Sequence, residues 1–141
     1  MTREDISSRC NTIEECYEFF LAYAGQGLSG HENSQAGGQL RGFLDRTVEA
    51  LTGLAQDFSA AVKQENLQPA ERYATFLAVL DRDARDSLAT IQLVLAQPTI
   101  SSQLIDNLNA SIHLRALLTD LFLIDEILKP QPVMAKPVVL D

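Results

Sequence analysis

Apolar residues recur along most of this chain at steps of three and four positions, which is the spacing of one face of an α-helix. The clearest run steps by 4, 3, 4, 3, 4 and 3, and it predicts a long helix B from about Gln39 to Glu65 with one face on a core. No segment shows the pattern of a strand. The run consists of Leu40, Leu44, Thr47, Leu51, Leu54, Phe58 and Ala61.

Two further long helices are predicted after helix B. Pro69 suits the first turn of a helix because a missing backbone N–H costs nothing there, so helix C starts at Pro69 and must end before Pro98. Thr99 or Ser101 can cap helix D, which continues to Leu128. The buried face of helix C is predicted to contain Tyr73, Leu77, Leu80, Ala84, Leu88, Ile91 and Leu95.

The N-terminal helix A is predicted to be shorter than the other three. Thr12 and Glu15 fit a capping box, in which the hydroxyl and the carboxylate each satisfy a backbone N–H at the helix start. Gly25 and Gly27 favour termination, so helix A runs from Thr12 to about Leu28. Its length is about 25 Å, against about 40 to 46 Å for helices B, C and D.

These elements predict an all-α fold: an antiparallel four-helix bundle with three long helices, one shorter N-terminal helix and an extended C-terminal tail. The bundle domain is predicted to span residues 1–129, and the proline-containing tail residues 130–141. Because helix A is too short to cover the long helices, an apolar groove is expected beside one end of the bundle. A glycine-rich connector at residues 25–38, the tail or a second subunit can fill that groove.

The acidic composition changes which partners are expected. Hydrophobic residues make up 46% of the 141 positions and charged residues 21%, as in an ordinary globular domain. The net charge of −8 argues against binding to nucleic acid, which requires Lys and Arg at the phosphates, and against an anionic membrane surface. The chain shows neither a signal-peptide pattern nor an apolar stretch of about 18 residues, so a cytoplasmic location is expected.

Few side chains carry a recognisable chemistry. Cys10 and Cys16 are too few for a disulfide scaffold, and no metal-binding spacing occurs on the predicted helices, so no cofactor and no metal are expected. His113 is the only histidine in a predicted helix, with Asp106 and Asp120 seven residues to either side. It is the basis of an alternative function, a small helical enzyme or a histidine phosphotransfer module.

The function predicted from these features is that of a non-enzymatic protein-binding module, such as an adaptor, chaperone-like, regulatory or accessory subunit. The second half of helix D is apolar on more than one face and aromatic residues crowd helix A, so more apolar surface is expected than one copy can bury. A homodimer is therefore predicted, while the partner protein is not identified by the sequence. The predicted partner-binding residues are Phe19, Tyr23, Leu114, Leu117, Leu121, Ile124, Leu128, Met134 and Val138.

Overall fold

The computed structural model describes residues 3–31 and 35–129, and every regular element within these two ranges is an α-helix. The prediction of an all-α fold is confirmed. Helix C is present as one segment, but helices B and D are each divided in two, so the prediction of three long helices is wrong. The helices are α1 Arg3–Ala24, α2 Gln35–Leu51, α3 Leu54–Gln64, α4 Ala70–Leu95, α5 Ser102–Ala110 and α6 Ile112–Leu128.

The first helix is longer than predicted. α1 begins at Arg3 and has 22 residues, which corresponds to about 33 Å. Ile6 and Cys10 are buried and extend the apolar row of the helix toward the N-terminus, and their burial stabilises the additional turns. Thr12 therefore lies inside the helix, where its hydroxyl donates to the carbonyl oxygen of Ser8 at 3.1 Å. The predictions of a capping box at Thr12 and of a shorter N-terminal helix are wrong.

Helix B is interrupted after Leu51. Gly53 adopts a left-handed backbone conformation with φ of 71° and ψ of 13°, so α2 ends at Leu51 and α3 begins at Leu54. The seven residues of the predicted apolar run are nevertheless all buried, on both sides of the break. The run therefore identified the core face correctly, whereas the break between the two helices leaves no trace in the hydrophobic period.

Substitution of Gly53 measures the cost of this break. A Cβ atom at Gly53 would meet no atom within 4 Å, so we expect Gly53→Ala to lower the free energy of unfolding by about 1 kcal/mol through backbone strain alone. Gly42 is the matched control because it lies inside α2, is exposed and also has open space around its Cβ position. Gly42→Ala should raise the same free energy by about 0.5 to 1 kcal/mol. Urea unfolding of both variants checks this expectation, and changes of equal sign would contradict it.

Helix D is divided at Ser111. The backbone of this residue is extended, with φ of −61° and ψ of 138°, so α5 ends before it and α6 begins after it. Its hydroxyl accepts a hydrogen bond from the backbone N–H of Leu114 at 3.4 Å, which satisfies a donor that has no partner within the helix. One serine therefore ends one helix and caps the next.

The candidate site lies on the surface of two neighbouring helices, α4 and α6. α4 packs against α2, α3 and α6, while α1 packs against α2, α5 and α6, so α6 lies between α1 and α4. The interior is filled by large side chains that are almost completely buried. They are Tyr23, Phe20, Phe58, Ile6, Ile13, Leu40, Leu44, Leu54, Leu80, Ile91, Ile105 and Leu114.

Three arginines connect one helix to the C-terminal end of another. The guanidinium group of Arg9 donates to the carbonyl oxygen of Ala50 at 2.8 Å, near the end of α2. Arg3 and Arg41 donate to the carbonyl oxygens of the last residues of α6 and α4, at 3.0 and 3.2 Å. The last carbonyls of a helix lack partners within the helix and carry partial negative charge, so these contacts both satisfy and neutralise them.

Candidate protein-binding surface

The five predicted partner-binding residues of α6 lie in the core. Leu114, Leu117, Leu121, Ile124 and Leu128 each expose 7% or less of their surface. They occupy the buried side of α6, which packs against α1 and α4. These side chains mainly make contacts within the chain, and of the five only Ile124 also lines the open cavity between α4 and α6 that is described below.

The predicted residues of α1 also make contacts within the chain. Tyr23 exposes 1% of its surface, and its hydroxyl donates to the carbonyl oxygen of Ile100 at 2.7 Å. Phe19 is half-buried, and its ring stacks on a phenylalanine ring of α2 with the centroids 4.2 Å apart. The remaining two predicted residues, Met134 and Val138, lie outside the described residues.

Exposed apolar side chains lie on the outer sides of α4 and α6. Val79 of α4 exposes 49% of its surface, and Leu123 and Ile127 of α6 expose 52% and 53%. Single exposed apolar residues are common on protein surfaces, but a group of them on adjacent helices indicates an interaction site. The arrangement of these three residues therefore decides whether they form one surface.

Two rows of side chains follow the boundary between α4 and α6, and we call them together the α4–α6 face. Each row advances by steps of three and four residues, so its members share one side of their helix. Val79 lies in the first row, and Leu123 and Ile127 lie in the second. The rows are Arg72, Phe76, Val79, Asp83 and Asp86 on α4, and Ile127, Leu123, Asp120, Ala116 and His113 on α6.

Two contacts fix how the rows are aligned. Phe76 and Ile127 line the same cavity, and seven residues farther along each row the carboxyl group of Asp83 hydrogen-bonds that of Asp120. The residue numbers increase in one row while they decrease in the other, so α4 and α6 are antiparallel. Val79 lies between Phe76 and Asp83, and Leu123 lies between Ile127 and Asp120, so Val79 and Leu123 are at about the same level. The three exposed apolar residues therefore belong to one continuous surface.

One end of the α4–α6 face is an open apolar cavity of about 280 Å³. Its volume lies just below the roughly 300–1,000 Å³ of typical small-molecule sites. The cavity has few polar groups, so it suits apolar side chains of another protein better than a cofactor. It is lined by Pro69, Arg72, Tyr73, Phe76, Ile124 and Ile127.

The middle of the face holds a pair of carboxyl groups. Asp120 exposes only 8% of its surface, and burial together with the hydrogen bond and the charge of Asp83 raises its pKa from 3.8 to about 7. Burial is the largest of these causes because it disfavours the charged form. The Oδ2 atom of Asp120 is buried without a hydrogen-bond partner among the described residues. Neither carboxyl group forms an ion pair with a described cationic side chain.

His113 lies at the far end of the face. Its Nδ1 atom is 3.8 Å from Oδ2 of Asp86, and the two side chains are 52% and 48% exposed. Within residues 3–31 and 35–129, no group of three or more His, Cys, Asp and Glu side chains is placed to hold a metal ion. The pair is thus an exposed ion pair whose charge depends on protonation of the histidine.

The two cysteines do not supply a nucleophile to this surface. Cys10 and Cys16 are both fully buried in α1. Burial is the main cause that raises the pKa of both thiols, that of Cys10 to about 12, so the reactive thiolate is strongly disfavoured.

The sequence does not predict that Asp83 and Asp120 form a pair. Asp83 belongs to a charged segment of α4 that has the pattern of a solvated face, and Asp120 was considered only for its distance from His113. The available signal was Asp120 itself, an acidic residue among the apolar positions Leu117, Leu121 and Ile124. An aspartate in such a row has to find a partner on a neighbouring helix or remain protonated.

The α4–α6 face thus combines apolar side chains, a carboxyl pair and an arginine on one surface. None of the helices within the described residues is long and apolar enough to cross a membrane. The comparisons with known proteins give no match, neither to a protein-family model, nor to a curated protein, nor to a solved structure.

Proposed function

We propose that the protein is a non-enzymatic protein-binding module and that the α4–α6 face is its binding surface. The observation that supports this proposal is the group formed by Val79, Leu123 and Ile127, which are each about half exposed beside an apolar cavity. Exposed apolar side chains that form one contiguous patch often mark a protein–protein interaction site.

The chemistry of the face specifies what it binds. Its ligand is a protein surface that offers apolar side chains to the cavity and a guanidinium or ammonium group to Asp83 and Asp120. A cation there gains a charge-assisted hydrogen bond and lets the buried carboxyl ionise.

We also propose that the helices form the four antiparallel columns of a bundle. In this arrangement α2 and α3 together take the place of one column, and α5 and α6 take the place of another. The contacts support a closed ring, because α1 packs against α2, α4 packs against α2 and α3, and α6 packs against both α4 and α1. The binding surface then lies on the outside of two neighbouring columns.

The alternative function, an enzyme or phosphotransfer module based on His113, has less support. Its imidazole lies 3.8 Å from one carboxylate, that of Asp86, and the His113 side chain is 52% exposed. We expect His113→Ala to leave binding at the opposite, apolar end of the face unchanged, because His113 does not contact that end.

A photo-cross-linking amino acid placed on the face tests the proposed function in cells. We expect this amino acid at Leu123 to give a cross-linked product of defined mass that disappears when Ile127→Asp puts a charge into the apolar patch. Leu21 is the matched control position, because it is a leucine of similar exposure, 49%, on α1. Absence of a product at Leu123, or equal yields at both positions, would contradict the proposal.

A further inference from the structure

The α4–α6 face carries opposite charges at equal distances from its apolar centre. Arg72 is exposed and forms no ion pair with any described residue, while Asp83 and Asp120 share a contact that contains no cation. Eleven residues separate Arg72 from Asp83 along α4, which corresponds to about 16 Å. Phe76 and Val79 lie between them on the same side of the helix. The face thus carries a cation and a carboxyl pair that could form an ion pair, but within one chain they lie too far apart to meet.

We propose that the molecule bound to the α4–α6 face is a second copy of this chain, with each α4 antiparallel to the α4 of its partner. This inference rests on the proposed function, for which it names the ligand. In a symmetric dimer the same surface meets itself, so each contact occurs twice. A two-fold axis that crosses α4 midway between Arg72 and Asp83 places each Arg72 opposite the carboxyl pair of the other copy.

The same axis brings the apolar residues together. Phe76 of one copy lies opposite Val79 of the other, because both are equally far from the axis. On α6, Ile127 and Leu123 lie on the two sides of the axis, since Ile127 lies beside Phe76 and Asp120 beside Asp83. The contact then has an apolar centre and charged ends, which is the usual organisation of a specific protein interface.

Charge complementarity favours a second copy over an unrelated basic partner. A partner that supplies a cation to Asp83 and Asp120 leaves Arg72 without a counter-ion on the same face. A second copy has the same spacing between Arg72 and Asp83. It therefore gives the arginine and the carboxyl pair a counter-ion at the same time.

Charge reversal tests this dimer and its register. We expect the wild-type chain to sediment as a dimer at physiological salt, where the repulsion between two chains of net charge −8 is screened. We expect Arg72→Asp and Asp83→Arg each to weaken association at least tenfold. An equimolar mixture of these two variants should associate again, because the aspartate at position 72 of one chain then faces the arginine at position 83 of the other. The chain that carries both substitutions should also regain self-association for the same reason.

The control is Arg115→Asp, which makes the same change of charge at an exposed position of α6 outside the face. It should sediment like the wild type, and circular dichroism of every variant shows that the helices are intact. A wild-type chain that stays monomeric at high concentration would overturn the inference. Failure of both the mixture and the double substitution to restore association would overturn it as well.

The cross-linking experiment at Leu123 distinguishes the two proposals. A product with twice the mass of the chain supports both the binding surface and the second copy. A product of another mass that depends on Ile127 supports the binding surface and overturns the dimer. Absence of any product overturns the binding surface itself.

Discussion

Replacing Arg9 with leucine is expected to lower the free energy of unfolding by about 3 kcal/mol. The guanidinium group donates to the carbonyl oxygen of Ala50 at 2.8 and 3.2 Å and to that of Thr52 at 2.9 Å, and it forms an ion pair with Asp57. These partners lie on both sides of the break between α2 and α3. Without the guanidinium, carbonyl groups at the end of α2 lose their donors, and the two helices lose the side chain that joins them to α1.

The matched variant for this site is Arg9→Lys. Lysine keeps the positive charge but lacks the planar fork that reaches two carbonyl oxygens and a carboxylate at once. We therefore expect a smaller loss, on the order of 1 to 2 kcal/mol. Urea unfolding followed by circular dichroism measures both values. A loss below about 1 kcal/mol for Arg9→Leu would show that water replaces the arginine without cost.

Replacing Asp120 with asparagine is expected to stabilise the monomer by about 2 kcal/mol at pH 8 and to change its stability little at pH 4. The folded protein raises the pKa of Asp120 from 3.8 to about 7, so between these values the folded chain holds a proton that the unfolded chain has released. The stability of the wild type therefore falls as the pH rises through this window and is level above it. Asparagine removes the ionisation and with it this part of the pH dependence.

Thermal unfolding of both chains between pH 4 and pH 8 measures this difference, at protein concentrations where they are monomeric. Monomers are required because a guanidinium group docked beside Asp83 would offset the cost of ionising Asp120. Asp106→Asn is the control, since it removes a carboxyl from an exposed position of α5 and should change stability by less than about 0.5 kcal/mol at any pH. A stability difference for Asp120→Asn that does not grow with pH would contradict the expectation.

The helical core could be predicted from the sequence, but the helix breaks could not. The apolar period of three and four residues determines which side of a chain is buried, and that side is the same before and after Gly53. The local backbone conformation of single residues such as Gly53 and Ser111 decides where one helix ends and the next begins. The start of α1 was missed for a related reason, because the capping pattern at Thr12 was given more weight than Ile6 and Cys10, which continue the apolar row.

The binding surface was harder to predict because it depends on which helices are neighbours. Apolar character alone selected Leu117, Leu121 and Ile124, and the most apolar row of a helix is the one that the core buries. The exposed row of α6 mixes Leu123 and Ile127 with Asp120, so it has no strong pattern of its own. This row can be recognised as part of a binding surface only when the structure shows that the exposed row of α4 lies beside it.

The two buried cysteines of α1 can report which contacts of this helix break first when the protein opens. The pKa of Cys10 is affected by the charge of Asp125 on α6 and that of Cys16 by Thr47 on α2, so the two thiols have different neighbours. Because both are buried and held as thiols, a maleimide reagent can modify each one only after α1 separates from the helix that covers it. The two modification rates therefore reveal whether α1 separates first from α2 or from α6.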